Sequence, residues 1–276
     1  MSASPTDAAA SGGAAASTTG PGEVLVEARG LAKIYKGKRG KAVEAVSDLS
    51  LDARAGEVFG LLGPNGAGKT TSLRMLSTVL SPTRGEAHIA GHDVVSEPDA
   101  VRARIGFLSG NTGLYPRLSP REVLTYFGRL HGMDDGRIRA RIDELATLFG
   151  MTEFLDRRCD ALSSGMSQKV NIARTALHDP QVLILDEPTV GLDVLASRSI
   201  VDFVRRCREE GRCVIFSTHI MGEVARLCDR LAIIHLGRVQ FLGTLDELRE
   251  RAGDDNVEEA FVQILDQAQA AAEATT

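Results

Sequence analysis

Between residues 63 and 70 the sequence reads Gly63-Pro64-Asn65-Gly66-Ala67-Gly68-Lys69-Thr70. The apolar run 58–62 precedes this stretch, and leucines at helical spacing follow it as far as residue 80, so it joins a buried strand to a helix. The pattern G-x-x-x-x-G-K-[ST] is that of a phosphate-binding loop, in which glycines let successive backbone N–H groups turn toward an anion. We therefore predict that the loop holds a phosphate chain, with Lys69 on the β- and γ-phosphates and Thr70 on Mg²⁺.

A second motif lies downstream, where the apolar run 182–185 ends in Asp186 and Glu187. A carboxylate at a strand end beside a phosphate loop suits Mg²⁺, so we assign Asp186 to the metal. Glu187, the next residue, would lie further toward the γ-phosphate, and we assign it to orient or deprotonate the attacking water. The alternative is a solvated acidic turn, and the upstream phosphate loop favours the metal site over it.

The rest of the pattern predicts the fold. Further apolar runs of strand length alternate with helical stripes, and 231–242 has the pattern of a hairpin. Residues 117–159 carry two helical stripes in succession, which indicates an inserted helical region at about 116–160. We predict an α/β fold: a P-loop NTPase core with a largely parallel sheet, an N-terminal antiparallel β part and an inserted α-helical subdomain.

Composition sets the boundaries and excludes several classes of protein. We expect a disordered Ala-, Ser- and Gly-rich tail over 1–22, one domain over 23–250, and an acidic Ala-rich tail over 251–276, with room for a short helix before a loose end. The formal net charge of −5, with no basic block, argues against a nucleic-acid partner. The cysteines form no C-x-x-C pair, which argues against a metal site, and no apolar run is long enough to span a bilayer.

Further motifs resemble those of one family, the ABC ATPases. Residues 162–166, Leu162-Ser163-Ser164-Gly165-Met166, lie where that family carries its signature motif, shortly before the acidic strand end. The run 191–193, Gly191-Leu192-Asp193, is similar to the family's D-loop. His219 lies at the position of the switch histidine, and Tyr35 at that of the aromatic residue that stacks on adenine. The resemblance covers about 23–250.

The resemblance implies a role for each matching residue. Glu187 and His219 would be catalytic, and Thr70 and Asp186 would hold Mg²⁺. ATP would be bound by Tyr35, by all the residues from Gly63 through Thr71, and by Ser163, Gly165 and Asp193. The family arrangement implies a dimer, in which Ser163 would reach the γ-phosphate held by the other subunit. Ordinary structural roles remain open as well: strand packing for Tyr35, a core position for His219, a turn for Asp193, and a helix cap for Ser163.

The same resemblance implies a function. The chain would be the ATP-hydrolysing motor subunit of an ABC transporter, acting with a polytopic membrane permease subunit. We expect that subunit to dock around 115–121, for which a solvated loop is the alternative. It would form a homodimer, or a heterodimer with a second ATPase subunit, on the cytoplasmic face of the membrane. The runs G-N-T-G-L-Y and S-S-G-M-S-Q-K are similar to the branch that includes sodium-exporting and drug-exporting ATPases, which implies export. The alternatives are a soluble ABC-type ATPase of DNA repair or translation, and a P-loop kinase or GTPase.

Two departures from the family pattern bear on the site. Ser164 and Met166 replace the usual Gly and Gln of the signature motif. Gly110 occupies the position where a Gln normally reaches the metal and the attacking water, with Asn111 beside it. Either Asn111 takes over that role or the coupling at this position is weakened.

Overall fold

The computed structural model describes residues 22–36, 42–110, 112–253 and 256–274. Apart from Gly22, the predicted N-terminal tail lies outside these ranges. So does Asn111, the residue proposed to replace the missing glutamine. All structural statements below concern the described residues.

Strands and helices alternate along much of the described chain. The strands are β1 (Val24–Lys36), β2 (Ala42–Arg54), β3 (Val58–Leu62), β4 (Arg84–Ile89), β5 (His92–Asp93), β6 (Ile105–Leu108), β7 (Val182–Asp186), β8 (Cys213–Thr218), β9 (Arg230–His235) and β10 (Arg238–Thr244). The helices are α1 (Lys69–Leu76), α2 (Pro98–Arg102), α3 (Pro120–Leu130), α4 (Asp135–Phe149), α5 (Ser164–Ala176), α6 (Val194–Glu209), α7 (Met221–Leu227), α8 (Leu245–Ala252) and α9 (Val257–Glu273).

The described strands form one mixed sheet in the order β5-β4-β1-β2-β10-β9-β3-β8-β7-β6. Its core is parallel, because β3 pairs in parallel with β8 and β9, and β7 with β6 and β8. The N-terminal part is antiparallel, through the pairs β1–β2, β1–β4 and β4–β5. The predicted fold class is therefore confirmed, including the antiparallel part and the helices between the strands.

Alternate residues along the central strands face two separate apolar cores. On one face, Leu62, Leu185 and Phe216 pack with α3 to α9. On the other face, Leu61 and Ile184 pack with α1, α2 and the antiparallel strands. Both faces are covered, which explains why β3, β7 and β8 are apolar at nearly every position. Their carboxyl ends lie together at one edge of the sheet, where the two predicted motifs occur.

Helices α3 and α4 form the inserted helical region. A capping box begins α3: the Glu122 N–H donates to Ser119 Oγ at 3.3 Å, and the Ser119 N–H donates to Glu122 Oε2 at 2.8 Å. Gly128 lets the two helices approach closely, because a methyl group there would lie only 2.6 Å from Ile138 Cγ1. A larger residue at this position would require the Ile138 side chain or the helices to shift.

The structure differs from the sequence prediction mainly at helix ends. The helix expected to run from 69 to 80 ends at Leu76, because Thr78 adopts a left-handed φ of 62° that no helix continues through. The segment 251–276, for which the sequence predicts a tail, contains the helix α9. Its Val257, Ala260 and Ile264 are buried against the core. Periodic apolar residues in this Ala-rich segment are the signal for that packing.

Candidate functional site

The phosphate loop connects β3 to α1 and surrounds a cleft of about 160 Å³. Gly68, the last residue before α1, has φ of 111°, and a methyl group there would lie 2.7 Å from the Ala45 carbonyl oxygen. Glycine is therefore required both for the backbone conformation and for the close approach of the loop to β2. The cleft is lined by Ala45, Pro64, Asn65, Gly66, Ala67, Gly68, Lys69, Thr70, Thr71 and Glu187.

Lys69 is a buried cation at the base of this cleft, with only 5 % of its side chain exposed. Its Nζ donates hydrogen bonds to the carbonyl oxygens of Gly63 at 2.6 Å and Pro64 at 3.2 Å. Burial lowers the pKa of Lys69, and the negative charges of Glu187 and Asp186 oppose that effect. An ammonium held this way, with neutral acceptors as its closest partners, is suited to receive an anionic phosphate.

Glu187 enters the same cleft from the end of β7. Its carboxylate Oε1 lies 3.7 Å from Lys69 Nζ and 3.4 Å from His219 Nδ1, so three elements distant in sequence meet at this oxygen. Its φ of 48° is in the left-handed region, which is uncommon for a non-glycine residue and is concentrated at functional sites. The structure therefore brings Lys69, Glu187 and His219 together, as expected if they belong to one site.

Asp186 is the last residue of β7 and is almost fully buried. Its Oδ1 accepts a hydrogen bond of 2.8 Å from Ser217 Oγ. The glutamine position of the family, Gly110, lies close by, since a methyl group on Gly110 would be 3.7 Å from the Asp186 carbonyl oxygen. A side chain at position 110 would therefore begin beside the acidic strand end.

Ser163, Gly165 and Asp193 lie elsewhere and do not line the phosphate cleft. Ser163 caps α5, with its Oγ accepting from the Met166 N–H at 3.3 Å. Asp193 caps α6, with its Oδ1 accepting from the Ala196 N–H at 2.9 Å. A methyl group on Gly165 would lie 3.7 Å from Asp193 Oδ2, so these three residues form a second cluster, the signature cluster. The helix cap that the sequence allows for Ser163 is present, and Asp193 also caps a helix, where the sequence allowed a turn.

Tyr35 lines a third feature, a groove of about 830 Å³ between the core and the helical region. The rings of His131 and His178 stack in it with centroids 3.7 Å apart, and His178 Nε2 lies 2.9 Å from the Ile105 carbonyl oxygen. Burial lowers the pKa of His178 to about 4, so that ring is neutral at physiological pH. Tyr35 is partly exposed and does not line the phosphate cleft.

Sequence reasoning missed three residues that shape the site. Ala45 lines the cleft from β2 and carries no motif signal. Ser217 contacts Asp186, and its only sequence signal is a hydroxyl at the end of the apolar run that precedes His219. Gln168 Nε2 donates to the Pro188 carbonyl oxygen at 2.8 Å, which links α5 to the loop after Glu187.

Comparison with known proteins gives consistent matches. Residues 46–190 match the family described as ABC transporter. The chain is 45 % identical over 223 residues to the ABC transporter ATP-binding protein NatA of Bacillus subtilis, covering 80 % of this chain and 91 % of that protein. It is 41 % identical over 230 residues to the daunorubicin/doxorubicin resistance ATP-binding protein DrrA of Streptomyces peucetius, covering 83 % of this chain and 68 % of that protein.

Solved structures also match most of the length of this chain. One described as the ATP-binding subunit of an ABC transporter superimposes with a TM-score of 0.79 at 30 % identity, over 87 % of this chain and 99 % of that one. An ATP-binding cassette solved as a dimer in a post-hydrolysis state with ADP and Pi gives a TM-score of 0.74 at 25 % identity, over 80 % and 99 % of the two chains. Within the described ranges, no helix is both long and apolar enough to cross a membrane.

Proposed function

The chain belongs to the ABC transporter family as an ATP-binding subunit, and we propose that its hydrolytic site consists of Lys69, Thr70, Asp186, Glu187 and His219. Subunits of this kind bind and hydrolyse ATP to drive transport through membrane partners, and this chain is such a motor. The contact of Glu187 with both Lys69 and His219 is the observation that carries the site assignment. The transporter names of the relatives above favour this function over DNA repair or translation.

Lys69 would bind the β- and γ-phosphates. Its Nζ already points into the loop and is held there by two carbonyl oxygens. Charged phosphate oxygens are stronger acceptors than carbonyl oxygens, so the buried ammonium gains by contacting them. The backbone N–H groups of the loop, with glycines at 66 and 68, would surround the remaining oxygens.

The residues at the strand end and loop fit Mg²⁺. Thr70 supplies a hydroxyl on the cleft and Asp186 a buried carboxylate, and both are hard oxygen donors of the type this ion prefers. Mg²⁺, when bound, would neutralise charge on the β- and γ-phosphates. Thr70 and Asp186 would hold it between the phosphate loop and the end of β7.

Glu187 would act as the general base. A carboxylate at the mouth of the cleft can accept the proton of the attacking water while that water faces the γ-phosphate. His219, at 3.4 Å, would hold the carboxylate in this orientation and contact the γ-phosphate region from β8. Glu187 and His219 directly follow the adjacent parallel strands β7 and β8, which keeps them close in space although they are far apart in the sequence.

The signature cluster would act on the ATP of a second copy. Ser163, Gly165 and Asp193 do not line the phosphate cleft of their own chain, so contact with a γ-phosphate requires another subunit. The solved relative described above is dimeric in a nucleotide-bound state. Val194 and Leu195, next to Asp193, are 83 % and 77 % exposed and offer apolar surface to a partner. We therefore favour a homodimer with two shared sites.

Mixing two inactive variants tests the shared site. Lys69→Ala removes the phosphate cation and Ser163→Arg blocks the signature cluster, so each homodimer should be inactive. Random exchange makes roughly half the dimers mixed, so about a quarter of all sites pair an intact loop with an intact signature cluster. We expect partial ATPase activity to return on mixing.

Strict coupling of the two sites could silence the mixed dimer, so ATP-dependent dimerisation measured by light scattering serves as a second readout. No rescue, together with a wild type that stays monomeric with ATP, would rule out the shared site. If the chain dimerises only with a different ATPase subunit, the functional assembly is a heterodimer and not a homodimer.

The membrane partner would contact the helical region. Tyr115 and Tyr126 are about half exposed and their rings meet edge to face with centroids 6.2 Å apart. The Tyr126 ring contacts Phe127, which lines the 830 Å³ groove together with Leu130. We propose that this surface, which includes the predicted docking segment 115–121, binds a permease subunit on the cytoplasmic face of the membrane, and that the transporter works as an exporter.

A double variant tests the docking surface. Tyr115→Ala combined with Tyr126→Ala removes exposed aromatic area outside the nucleotide site, so ATPase activity of the purified chain should stay within about twofold of wild type. The share of the chain recovered in the membrane fraction of its own host should fall by more than about fivefold, as expected for losing aromatic anchors at an interface. Unchanged membrane recovery would exclude these tyrosines from docking.

A further inference from the structure

Ser217 holds both acidic residues of the site from the neighbouring strand. It lies opposite Asp186 in the parallel pair β7–β8 and is fully buried. Its Oγ donates to Asp186 Oδ1 at 2.8 Å and accepts from the Glu187 N–H at 3.0 Å. One hydroxyl therefore contacts two consecutive residues to which different roles are assigned.

The direction of these bonds is determined by the chemistry of the groups. The Asp186 carboxylate can only accept, so the single hydroxyl proton of Ser217 points at it. That leaves the lone pairs of Ser217 Oγ for the Glu187 N–H. The main-chain carbonyl of Ser217 also accepts from this N–H, at 3.2 Å. A hydrogen bond to a charged carboxylate is stronger than one between neutral groups, so Asp186 and Ser217 hold each other firmly.

The backbone of Glu187 explains why this support is needed. Its φ of 48° is unfavourable for a residue with a side chain, and such a conformation persists only where the surroundings hold it. Its N–H donates both to the side-chain Oγ and to the carbonyl oxygen of Ser217, and these two bonds hold the backbone there. The same conformation directs the Glu187 side chain to Lys69 and His219.

We infer that Ser217 is a positioning residue that orients Asp186 for the metal and Glu187 for the attacking water. This inference rests on the proposed function, because it acts through the roles assigned there to those two residues. Ser217 follows Val214, Ile215 and Phe216 in a strand buried at every position, where a hydroxyl is costly unless it is hydrogen-bonded. Its contacts supply that bonding at the site itself.

The test is Ser217→Ala, which removes the hydroxyl and leaves the strand apolar. Losing a residue that orients a metal ligand costs about 10–100-fold in metal affinity or activity, so we expect kcat to fall by at least about tenfold. Binding of Mn²⁺, used as a paramagnetic probe in the presence of a non-hydrolysable ATP analogue, should weaken by a similar factor. Binding of a fluorescent ATP analogue without metal should stay within about twofold, since the phosphate loop is untouched.

A matched control is available in Ser72→Ala. Ser72 is equally buried, but its hydroxyl makes no hydrogen bond among the described residues. This variant should keep wild-type kcat and Mn²⁺ binding. Ser217→Thr keeps the hydroxyl and suits a strand, so it should recover activity to within about threefold of wild type. A role in packing alone would change the melting temperature of Ser217→Ala without changing kcat or Mn²⁺ binding, and that result would overturn the inference.

Three further variants keep the test decisive. If Ser217→Ala does not fold, Ser217→Cys replaces it with a side chain of similar size whose thiol is a weak donor, and the same losses are expected. Normal kcat and Mn²⁺ binding in Ser217→Cys would then overturn the inference. Asp186→Asn and Glu187→Gln are measured in parallel: normal turnover in both would contradict the proposed function. Loss of turnover in both, with a normal Ser217→Ala, would contradict only the role of Ser217.

Discussion

Replacing Glu187 by Gln should leave ATP bound and slow its hydrolysis by about 10²–10⁴-fold, the range expected for loss of a general base. The amide keeps the shape of the carboxylate but cannot accept the proton of the attacking water. At about 1.4 kcal/mol per factor of ten, the change amounts to roughly 2.8–5.6 kcal/mol in the barrier. Single-turnover hydrolysis and binding of a fluorescent ATP analogue, measured on the same preparation, separate the two effects.

Glu223→Gln is the matched control for this experiment. Glu223 lies on α7 near the site, but its Oε2 accepts from Thr218 Oγ1 at 2.8 Å and it does not line the phosphate cleft. An amide oxygen can still accept that bond, so turnover should stay near wild type. Asp186→Asn should instead change the dependence on Mg²⁺ concentration. If Glu187→Gln turned over at the wild-type rate, another residue would have to be the base.

Lys69→Ala should lower ATP affinity or turnover by more than about tenfold, because it removes a preorganised cation from a buried phosphate site. The loss of affinity or turnover should be large because Lys69 is the positively charged residue among those that line this cleft. Removing the side chain also empties a buried position, so Lys69→Met is measured with it. Met retains the apolar stem and removes only the charge, and we expect it to be as defective as Ala.

Comparison within this series separates charge from packing. Lys69→Arg keeps a cation but cannot reproduce the bonds of a compact ammonium to two neighbouring carbonyl oxygens, so we expect it to recover little activity. Calorimetry of ATP binding and steady-state ATPase rates are the measurements. Near wild-type ATPase activity in Lys69→Met would contradict the assignment of the phosphate site.

Much of the fold could be predicted because the strongest local patterns coincide with buried elements. The apolar runs 58–62 and 182–185 are short, and they proved to be strands covered on both faces. The sequence at Thr244 and Glu247 has the capping-box pattern, and this capping box begins α8 in the structure. Helix ends were harder, because the left-handed turn at Thr78 carries no composition signal and was missed. The packing of α9 depends on a surface formed by distant parts of the chain.

For the site, the order of the amino acids specifies which chemical groups are available. The loop from Gly63 to Thr70 and the acids at the end of β7 are contiguous motifs, and each functions through local backbone geometry that a short sequence specifies. Residue type and spacing along the chain were therefore sufficient to identify Lys69, Asp186 and Glu187 as candidate residues.

How these groups meet depends on the folded arrangement of the strands. Parallel pairing places the ends of β7 and β8 side by side, which brings His219 to Glu187 and Ser217 to Asp186 across about 30 residues of sequence. The same packing closes the loop with Ala45 and leaves the signature cluster outside the cleft. Such contacts depend on strand order and register, which arise when two apolar faces of one sheet are buried together and which no local pattern encodes.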